Sequence, residues 1–426
     1  MAPKDHRPNI LHFICHDLGQ ELHCYGNPTV ESPRLDALAA EGVRFSRFFA
    51  ASTPCSPSRG CIMTGRYAHS TGLIGLVNRG WDLPDREKTL VDHLNEAGYE
   101  TWHFGLQHER KDPARNRYAH EIGAGRPVWI EAAGADVIRF LGSADARRGP
   151  WYLNIGTFEV HLKFNRPLYV AADPAKVHVP SYLPDDPDVR LELARFHGAI
   201  RFMDLWIGHL LDALDRTGLR EDTAFLFTTD HGAAFPRAKS TLYDSGIGTA
   251  LIGRFPERLG VRPGTCGALL SNIDLAPTLL EMVGAPVPPE VQGRSFWPLL
   301  AGRPCEPRAE VYSEKSFHDR YDPMRCIRTD RYKYIRSFEN VPNLPLPKDI
   351  LDSIASRPLR PDALQPRPPE ELYHLEADPG EEHNRAADPA LRAVRDRLAS
   401  RLEAWMRDTG DFLPGPMPPP PPEQWL

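Results

Sequence analysis

No run of apolar residues in this 426-residue chain approaches the roughly 18 that a membrane-spanning helix needs. The first apolar run, Ile10 to Cys15, is too short for the core of a secretion signal and passes straight into polar residues. It reads as a buried strand. A domain-wide basic excess is also missing. The formal net charge is −6, which argues against a scaffold for nucleic-acid phosphates, although a few basic residues at a site still suit a small anion. Cysteine is sparse: seven in all, an odd number, without framework spacing. That favours reduced thiols and a cytoplasmic location. Cys15, Cys24, Cys61, Cys266, Cys305 and Cys326 are expected to pack in or near the core. No internal repeat is visible.

What is present is ordinary globular material, 41% hydrophobic and 25% charged, at a length that suits one large α/β domain and a smaller one. Strand and helix signals alternate. Asn9 to Cys15 reads as a strand. "SPRLDALAAEG" reads as a helix, with Ser32 as N-cap, Pro33 at the first position and Gly42 as the stop. Thr89 to Ala97 is helical, Tyr99 to Phe104 a strand, and 151–157 another strand. Val189 to Arg216 is a long amphipathic helix carrying Leu193, Phe196, Ile200, Met203, Ile207, Leu210, Leu211 and Leu214. "TAFLFTTDHG" is a strand entering a loop, and "NIDLAPTLLEMVG" begins a helix. The alternation predicts a mostly parallel sheet with helices on both faces, whose sites form at the carboxyl ends of strands.

Composition shifts after about Arg303. Residues 324–338 alternate like an antiparallel strand pair turning at Thr329 to Arg331. Proline-rich loops fill 341–370, and Leu391 to Trp405 reads as a helix. The expected division is 1–305, 306–412 and a proline-rich tail, 413–426.

Four polar clusters follow predicted strands: His16–Asp17, Gln107–His108, Glu159 with His161, and Asp230–His231 with Lys239 nearby. A single histidine after a strand is more often structural than functional. Four such ends on one sheet edge build a cleft. Asp17, Asp230 and His231 suit a divalent cation, with His16 as a fourth candidate. Arg59, Lys239, His108 and His161 suit a tetrahedral oxyanion. The chemistry implied is attack on a sulfuryl or phosphoryl centre. Glu159 has no assigned role. Arg79 and Trp81 could line the mouth, though an aromatic there is more often packing.

The stretch "STPCSPSRGCIMTGRY", 52–67, sets Cys55 at the mouth of a predicted helix, two residues before Pro57 and four before Arg59. A reactive cysteine needs such a cationic, helix-N-terminal setting. "CSPSRGCIMTGR" resembles the signature of the type I sulfatases. The resemblance extends to "RPNILHFICHDLG", "TTDHG" with Lys239, "SNIDLAPTLLEMVG", "RTDRYKYI" and "ELYHLEADPGEEHN". Within that family the chain looks most like the sulfamidase (heparan N-sulfatase) branch, through "VPSYLPDDPDVRLELARFHGAIRFMD", "YDPMRCIRTDRYKYI" and "LEAWMRDTGDFL".

The resemblance implies an alkaline-phosphatase-like α/β fold with a smaller α+β part carrying an antiparallel sheet. It implies that a maturation enzyme oxidises Cys55 to Cα-formylglycine, whose hydrated form attacks sulfur and then expels sulfate. Arg59 would steady that group and the helix start, and His108 would assist elimination. His161 and Lys239 would bind sulfate and protonate the leaving group. His16, Asp17, Asp230, His231 and residue 55 would hold the metal. His318 and Arg325 would border the substrate pocket. The expected partners are a small sulfated substrate and the formylglycine-generating enzyme, with room for a homo-oligomer and no nucleic acid or membrane.

Two departures stand out. The resemblance implies calcium, but most sulfatases carry Asp-Asp where this chain has His16–Asp17: with His16 as a ligand, manganese, zinc or iron become possible, and with His16 turned away the shell is smaller. The family's Gly-Lys-x-His appears as Gly105-Leu106-Gln107-His108, so a sulfate-contacting lysine is absent, with Gln107 left to donate a neutral hydrogen bond. The leading expectation is a sulfuric ester or sulfamate hydrolase acting on a small compound such as an N- or O-sulfated sugar. Two alternatives keep the same residues: a phosphonate monoester or phosphodiester hydrolase, and a non-catalytic binder of sulfated ligands.

Overall fold

The structure, a computed structural model, describes residues 7–123, 128–359 and 361–415. Of the tail, residues 416–426 lie outside the described residues.

Eight strands form the central sheet: β1 (Asn9–Cys15), β2 (Val43–Phe45), β3 (Glu100–Gly105), β4 (His120–Ile122), β5 (Trp151–Gly156), β6 (Thr223–Thr229), β7 (Leu251–Arg254) and β8 (Gly264–Cys266). Their order is β8-β2-β7-β6-β1-β5-β3-β4. β7 runs antiparallel to both neighbours, and every other pairing is parallel. The sheet is therefore the mostly parallel one that strand–helix alternation demands.

Both faces are covered. Between α1 (Pro33–Glu41) and the next helices on the same face, α4 (Ile130–Leu141) and the long α5 (Pro187–Thr217), the chain forms the signature helix α2 (Cys55–Thr64) and α3 (Leu90–Glu96), which lie on the other; α1, α4 and α5 share one core. They pack on Leu11, Phe13, Leu153, Ile155, Phe225 and Phe227. On the other face α2, α3 and α6 (Leu275–Met282) pack on Ile10, Ile14, Tyr152, Ala224 and Leu226. Successive strand residues point to opposite faces, so these near-continuous apolar strands serve both cores.

One cap differs from expectation. Ser32 gives α1 no side-chain cap, and its hydroxyl instead accepts from the His23 amide. Asp204 of α5 does the capping, accepting from the Arg34 and Leu35 amides at 3.0 and 2.8 Å.

Beyond residue 305 a second, antiparallel sheet runs β9 (Glu310–Phe317), β10 (Tyr321–Thr329), β11 (Tyr332–Ser337) and β12 (Glu370–His374) in that order. The β10–β11 hairpin turns where the alternation places it, with the Thr329 hydroxyl accepting from the Tyr332 amide. The helix α7 (Arg392–Asp408) covers this sheet through Leu398, Leu402 and Trp405. Ala51, Cys61, Tyr67 and Ala68 share that same core, so the second sheet packs directly behind the signature helix.

All seven cysteines are free. Cys15, Cys61 and Cys326 are buried as expected, Cys24 and Cys266 partly so, but Cys305 is exposed in a loop and not a packing residue. Among the described residues no helix is long and apolar enough to cross a membrane.

Candidate active site

Register brings the four polar clusters together. Cys15 pairs with Thr229, and Gly105 pairs with Gly156, so β1, β6, β3 and β5 all end at one edge. Backbone bonds then tie the emerging loops to each other: Asp230 N donates to Cys15 O, His16 N to Glu159 O, and Val160 N to His16 O. Glycine is required at the β3–β5 crossing. A Cβ on Gly156 would lie 2.0 Å from Leu106 O, and one on Gly105 would lie 2.3 Å from Gly156 O.

Helix α2 starts at Cys55 and is buried along its whole length. Its register is fixed by polar anchors. Ser58 donates to Asp230 O, Asn272 donates to Ser58, and Val77 N donates to the Ser56 hydroxyl. Arg59 reaches from the first turn to Asp230 Oδ2 at 3.1 Å and to Ile14 O at 3.3 Å.

His16, Asp17, Cys55, Asp230 and His231 converge, each offering one donor atom, all within 4.8 Å of one another and all buried. Asp17 Oδ1 is the hub. It lies 2.8 Å from His16 Nδ1, 3.1 Å from His231 Nε2 and 3.7 Å from Cys55 Sγ. Asp17 sits at φ 51°, a left-handed conformation that aspartate tolerates better than most residues. His231 Nδ1 lies 3.0 Å from Gly232 O, which orients the ring and leaves Nε2 facing the carboxylates.

The charges agree with a cation site. Burial alone would raise the Asp17 pKa, but Lys239, His161, His16 and His231 hold it well below the usual carboxylate range. Asp230 is pulled down to about 2 against its own burial by His231, His16 and Arg59. Burial opposes a charge on His231, yet Asp230, Cys55 and Asp17 outweigh it and push its pKa well up. Carboxylates that favour a proton there favour a divalent cation as well. The donor set, two imidazoles with two carboxylates beside residue 55, therefore fits a divalent metal.

Beside this cluster opens a cleft of about 290 Å³ lined by Cys55, His108, His161, Lys239 and His318. Lys239 Nζ donates to Asp17 Oδ2 at 2.6 Å and lies 3.2 Å from His161 Nε2. His161 Nδ1 is 2.6 Å from Leu162 O, so Nδ1 carries the hydrogen and Nε2 faces the cleft as an acceptor. Burial, aided by Lys239, lowers the His161 pKa to about 4. Burial also holds His108 well below its ordinary value, with His16 and Arg59 adding to the effect. Both imidazoles are neutral near pH 7.

The Cys55 thiol itself is not activated. Burial pushes its pKa up, although His231 and Lys239 oppose the shift. A helix start and nearby cations do not make a ready thiolate here.

Two expected contributors lie elsewhere. Arg325 is fully buried, paired with Asp411 through Nε and Nη2 and bonded to Lys315 O, so it braces the second sheet against the chain's end. Gln107 spends its amide on a turn, donating to Arg110 O and accepting from the Glu109 and Arg110 amides, and does not reach the cleft. Arg79 lines the mouth and pairs with Asp319, whereas Trp81 packs on Phe317. Glu159 accepts from Ile130 N, Arg166 and Tyr169, holding its loop in place. Asn78, Lys163, Asp319, Lys348, Asp349 and Asp352 also line the cleft. The last three belong to the 341–370 segment, whose sequence signals only a connection. Ile350, beside charged Asp349, is buried in the main core together with Ala355, which docks the segment.

A mostly parallel sheet that gathers buried carboxylates and imidazoles beside the first turn of a cysteine-bearing helix defines an alkaline-phosphatase-like hydrolase of esterified oxyanions. The chain belongs to the sulfatase family, which it matches over residues 8–285. Residues 234–348 also match the C-terminal region of N-sulphoglucosamine sulphohydrolase. It is therefore a hydrolase of sulfuric ester or sulfamate bonds. A human N-sulphoglucosamine sulphohydrolase is 28% identical over 458 residues, spanning 95% of this chain and 90% of the relative. An ulvan-active sulfatase of Formosa agariphila is 29% identical over 429 residues, 96% of this chain and 81% of the relative. A solved structure in complex with its substrate D-glucosamine-2-N,6-O-disulfate shares the fold, with TM-score 0.75, 20% identity, and coverage of 96% of this chain and 99% of that one. So does the phosphonate monoester hydrolase of Agrobacterium radiobacter, with TM-score 0.74, 21% identity, and coverage of 95% and 96%.

Proposed function

We propose that this chain releases sulfate from a small N- or O-sulfated compound, a sulfated sugar foremost, after a maturation enzyme converts Cys55 to formylglycine. The observation that carries the reading is the buried set His16, Asp17, Cys55, Asp230 and His231, opening on a cleft with Lys239, His161 and His108. Formylglycine at position 55 would supply a hydrated aldehyde, one hydroxyl to attack sulfur and a second to let sulfate go. The cation would be held by His16, Asp17, Asp230 and His231 and would polarise the sulfate oxygens. Its nitrogen-rich donors favour manganese, zinc or iron over calcium.

The chain's own residues then divide the work. Arg59 fixes the orientation of Asp230. Lys239, itself buried, neutralises a sulfate oxygen. His161 Nε2 accepts from Lys239 and orients its ammonium, and Lys239 is the group that hands a proton to the leaving group. Neutral His108 accepts a proton as sulfate leaves. A cytoplasmic setting accompanies this reading and is supported by seven unpaired cysteines.

A second reading, phosphonate monoester or phosphodiester hydrolysis, is favoured by one observation: neither Leu106 nor Gln107 lines the cleft, so the anion site gains no cation from that loop. One experiment separates the two. The protein is co-expressed with a formylglycine-generating enzyme and assayed on N-sulfoglucosamine, an aryl sulfate and an aryl phosphodiester, with Cys55→Ala as control. Sulfate released from the sugar and abolished by Cys55→Ala is the expected result. Cleavage of the phosphodiester alone overturns it in favour of the second reading.

A further inference from the structure

Lys239 carries three N–H donors. All three are taken: Asp17 Oδ2 at 2.6 Å, His161 Nε2 at 3.2 Å, and Asp349 Oδ2 at 2.6 Å. Asp349 enters from the proline-rich stretch that reads as a mere connection in sequence. It is nevertheless held firmly. Ile350 and Ala355 are buried in the main core, and Ser353 donates to Glu192 of α5 at 3.1 Å. Lys348 N donates to Asp319 Oδ2 at 2.7 Å, and Asp349 Oδ1 accepts from Ile350 N at 3.0 Å. Asp349 Oδ2 is also 3.6 Å from His161 Nε2, while 24% of its side chain remains exposed in a position lining the cleft. A carboxylate fixed by a docked segment against the cleft's lysine is a built feature, not a passing surface contact.

We infer that Asp349 selects among sulfated substrates by recognising the group next to the sulfate. A substrate oxygen that binds Lys239 takes the N–H that His161 Nε2 accepts here, the longest of the three bonds, and leaves Asp349 on the same ammonium. Two hydrogen bonds sharing one ammonium put that oxygen within about 5 Å of the Asp349 carboxylate. A hydroxyl or amine on the atom adjacent to the sulfate-bearing one reaches across that gap and donates to Asp349. A carboxylate or second sulfate at the same place meets a fixed negative charge, and leaving either charge unpaired in a confined cleft is costly. The favoured substrate class is thus a sulfate ester or sulfamate flanked by a hydrogen-bond donor, and the disfavoured class is one flanked by an anion. This inference rests on the proposed sulfatase activity.

The test uses full-length protein whose residue 55 is shown by mass spectrometry to be formylglycine. The substrates are phenyl sulfate, 2-hydroxyphenyl sulfate and 2-carboxyphenyl sulfate. The wild type is expected to prefer the hydroxyl ester over the plain one by roughly tenfold in kcat/KM, the scale of one hydrogen bond to a charged group. It is expected to disfavour the carboxylate ester by a similar factor. Asp349→Asn, which keeps an acceptor and removes the charge, retains most of the hydroxyl preference and loses the carboxylate discrimination. Asp349→Ala loses both. The readout is the ratio between substrates within each variant, so a general loss of activity or stability does not imitate it. Equal ratios in wild type and Asp349→Ala overturn the inference and leave the sulfatase reading intact. Release from none of the three esters by the converted wild type overturns both.

Discussion

Arg59 donates from Nε to Asp230 Oδ2 across 3.1 Å, and neither side chain has more than 1% of its surface exposed. The pair locks the signature helix α2 to the end of β6, and the further bond to Ile14 O extends the lock to β1. Removing one partner of a buried pair strands the other charge. Arg59→Ala is therefore expected to cost about 3–5 kcal/mol in chemical denaturation. Divalent-cation binding should weaken with it, because Asp230 loses its orientation. Arg59→Lys keeps a charge but not the planar reach to two acceptors, and should fall between the two. A loss below 1 kcal/mol in Arg59→Ala would sink the claim.

His16 Nδ1 faces Asp17 Oδ1 at 2.8 Å and Asp230 Oδ2 at 3.6 Å, so the imidazole points into the donor set. The metal preference proposed above is tested through that position. Isothermal titration of the purified protein should show manganese or zinc binding more tightly than calcium. His16→Asp should move the ratio toward calcium by roughly tenfold or more, since it adds a hard, charged oxygen donor. An unchanged ratio would place His16 outside the coordination sphere.

Much of this fold was legible because the physics that builds it is local. β1, β5 and β6 are apolar runs bounded by polar residues, and their ends carry the chemistry directly, as with Cys15 before His16. The α1 cap is not readable locally because its acceptor, Asp204, is 169 residues from Leu35 and leaves no local trace. Arg325 shows the same limit. Its neighbourhood in sequence suggests a pocket, but its partner Asp411 is 86 residues away. Asp349 was invisible for the converse reason. A short helix between prolines has no periodicity, and only its docking on α5 makes it part of the cleft.

Burial also orders the cysteines by reactivity. Cys305 is exposed, whereas Cys55 is almost wholly buried and its thiol pKa is raised. Alkylation needs an accessible thiolate. In native, unconverted protein, peptide mass mapping after brief iodoacetamide treatment should find Cys305 modified first. Cys55 should remain largely unmodified until denaturant is added. Fast labelling of Cys55 would mean that the thiol is activated after all, contrary to its surroundings.

Asp204 offers a stability test away from the chemistry. Its two oxygens accept the Arg34 and Leu35 amides, so Asp204→Ala uncaps α1 and should cost about 1–2 kcal/mol in urea denaturation. Asp204→Asn keeps one acceptor and should cost less. Burial pushes the Asp204 carboxyl up to about 6, against the two backbone hydrogen bonds. Its folded-state value thus lies above the unfolded value of about 4. Between those values the folded protein holds a proton that the unfolded chain has released. Stability from this group is therefore greatest at low pH, falls as pH rises from about 4 to about 6, and is level above that. Asparagine cannot titrate. The stability of wild type relative to Asp204→Asn should accordingly decline across that window and then stay constant. A difference that is flat from pH 4 to 8 would show that the carboxylate stays ionised in the folded state, its amide partners outweighing its burial.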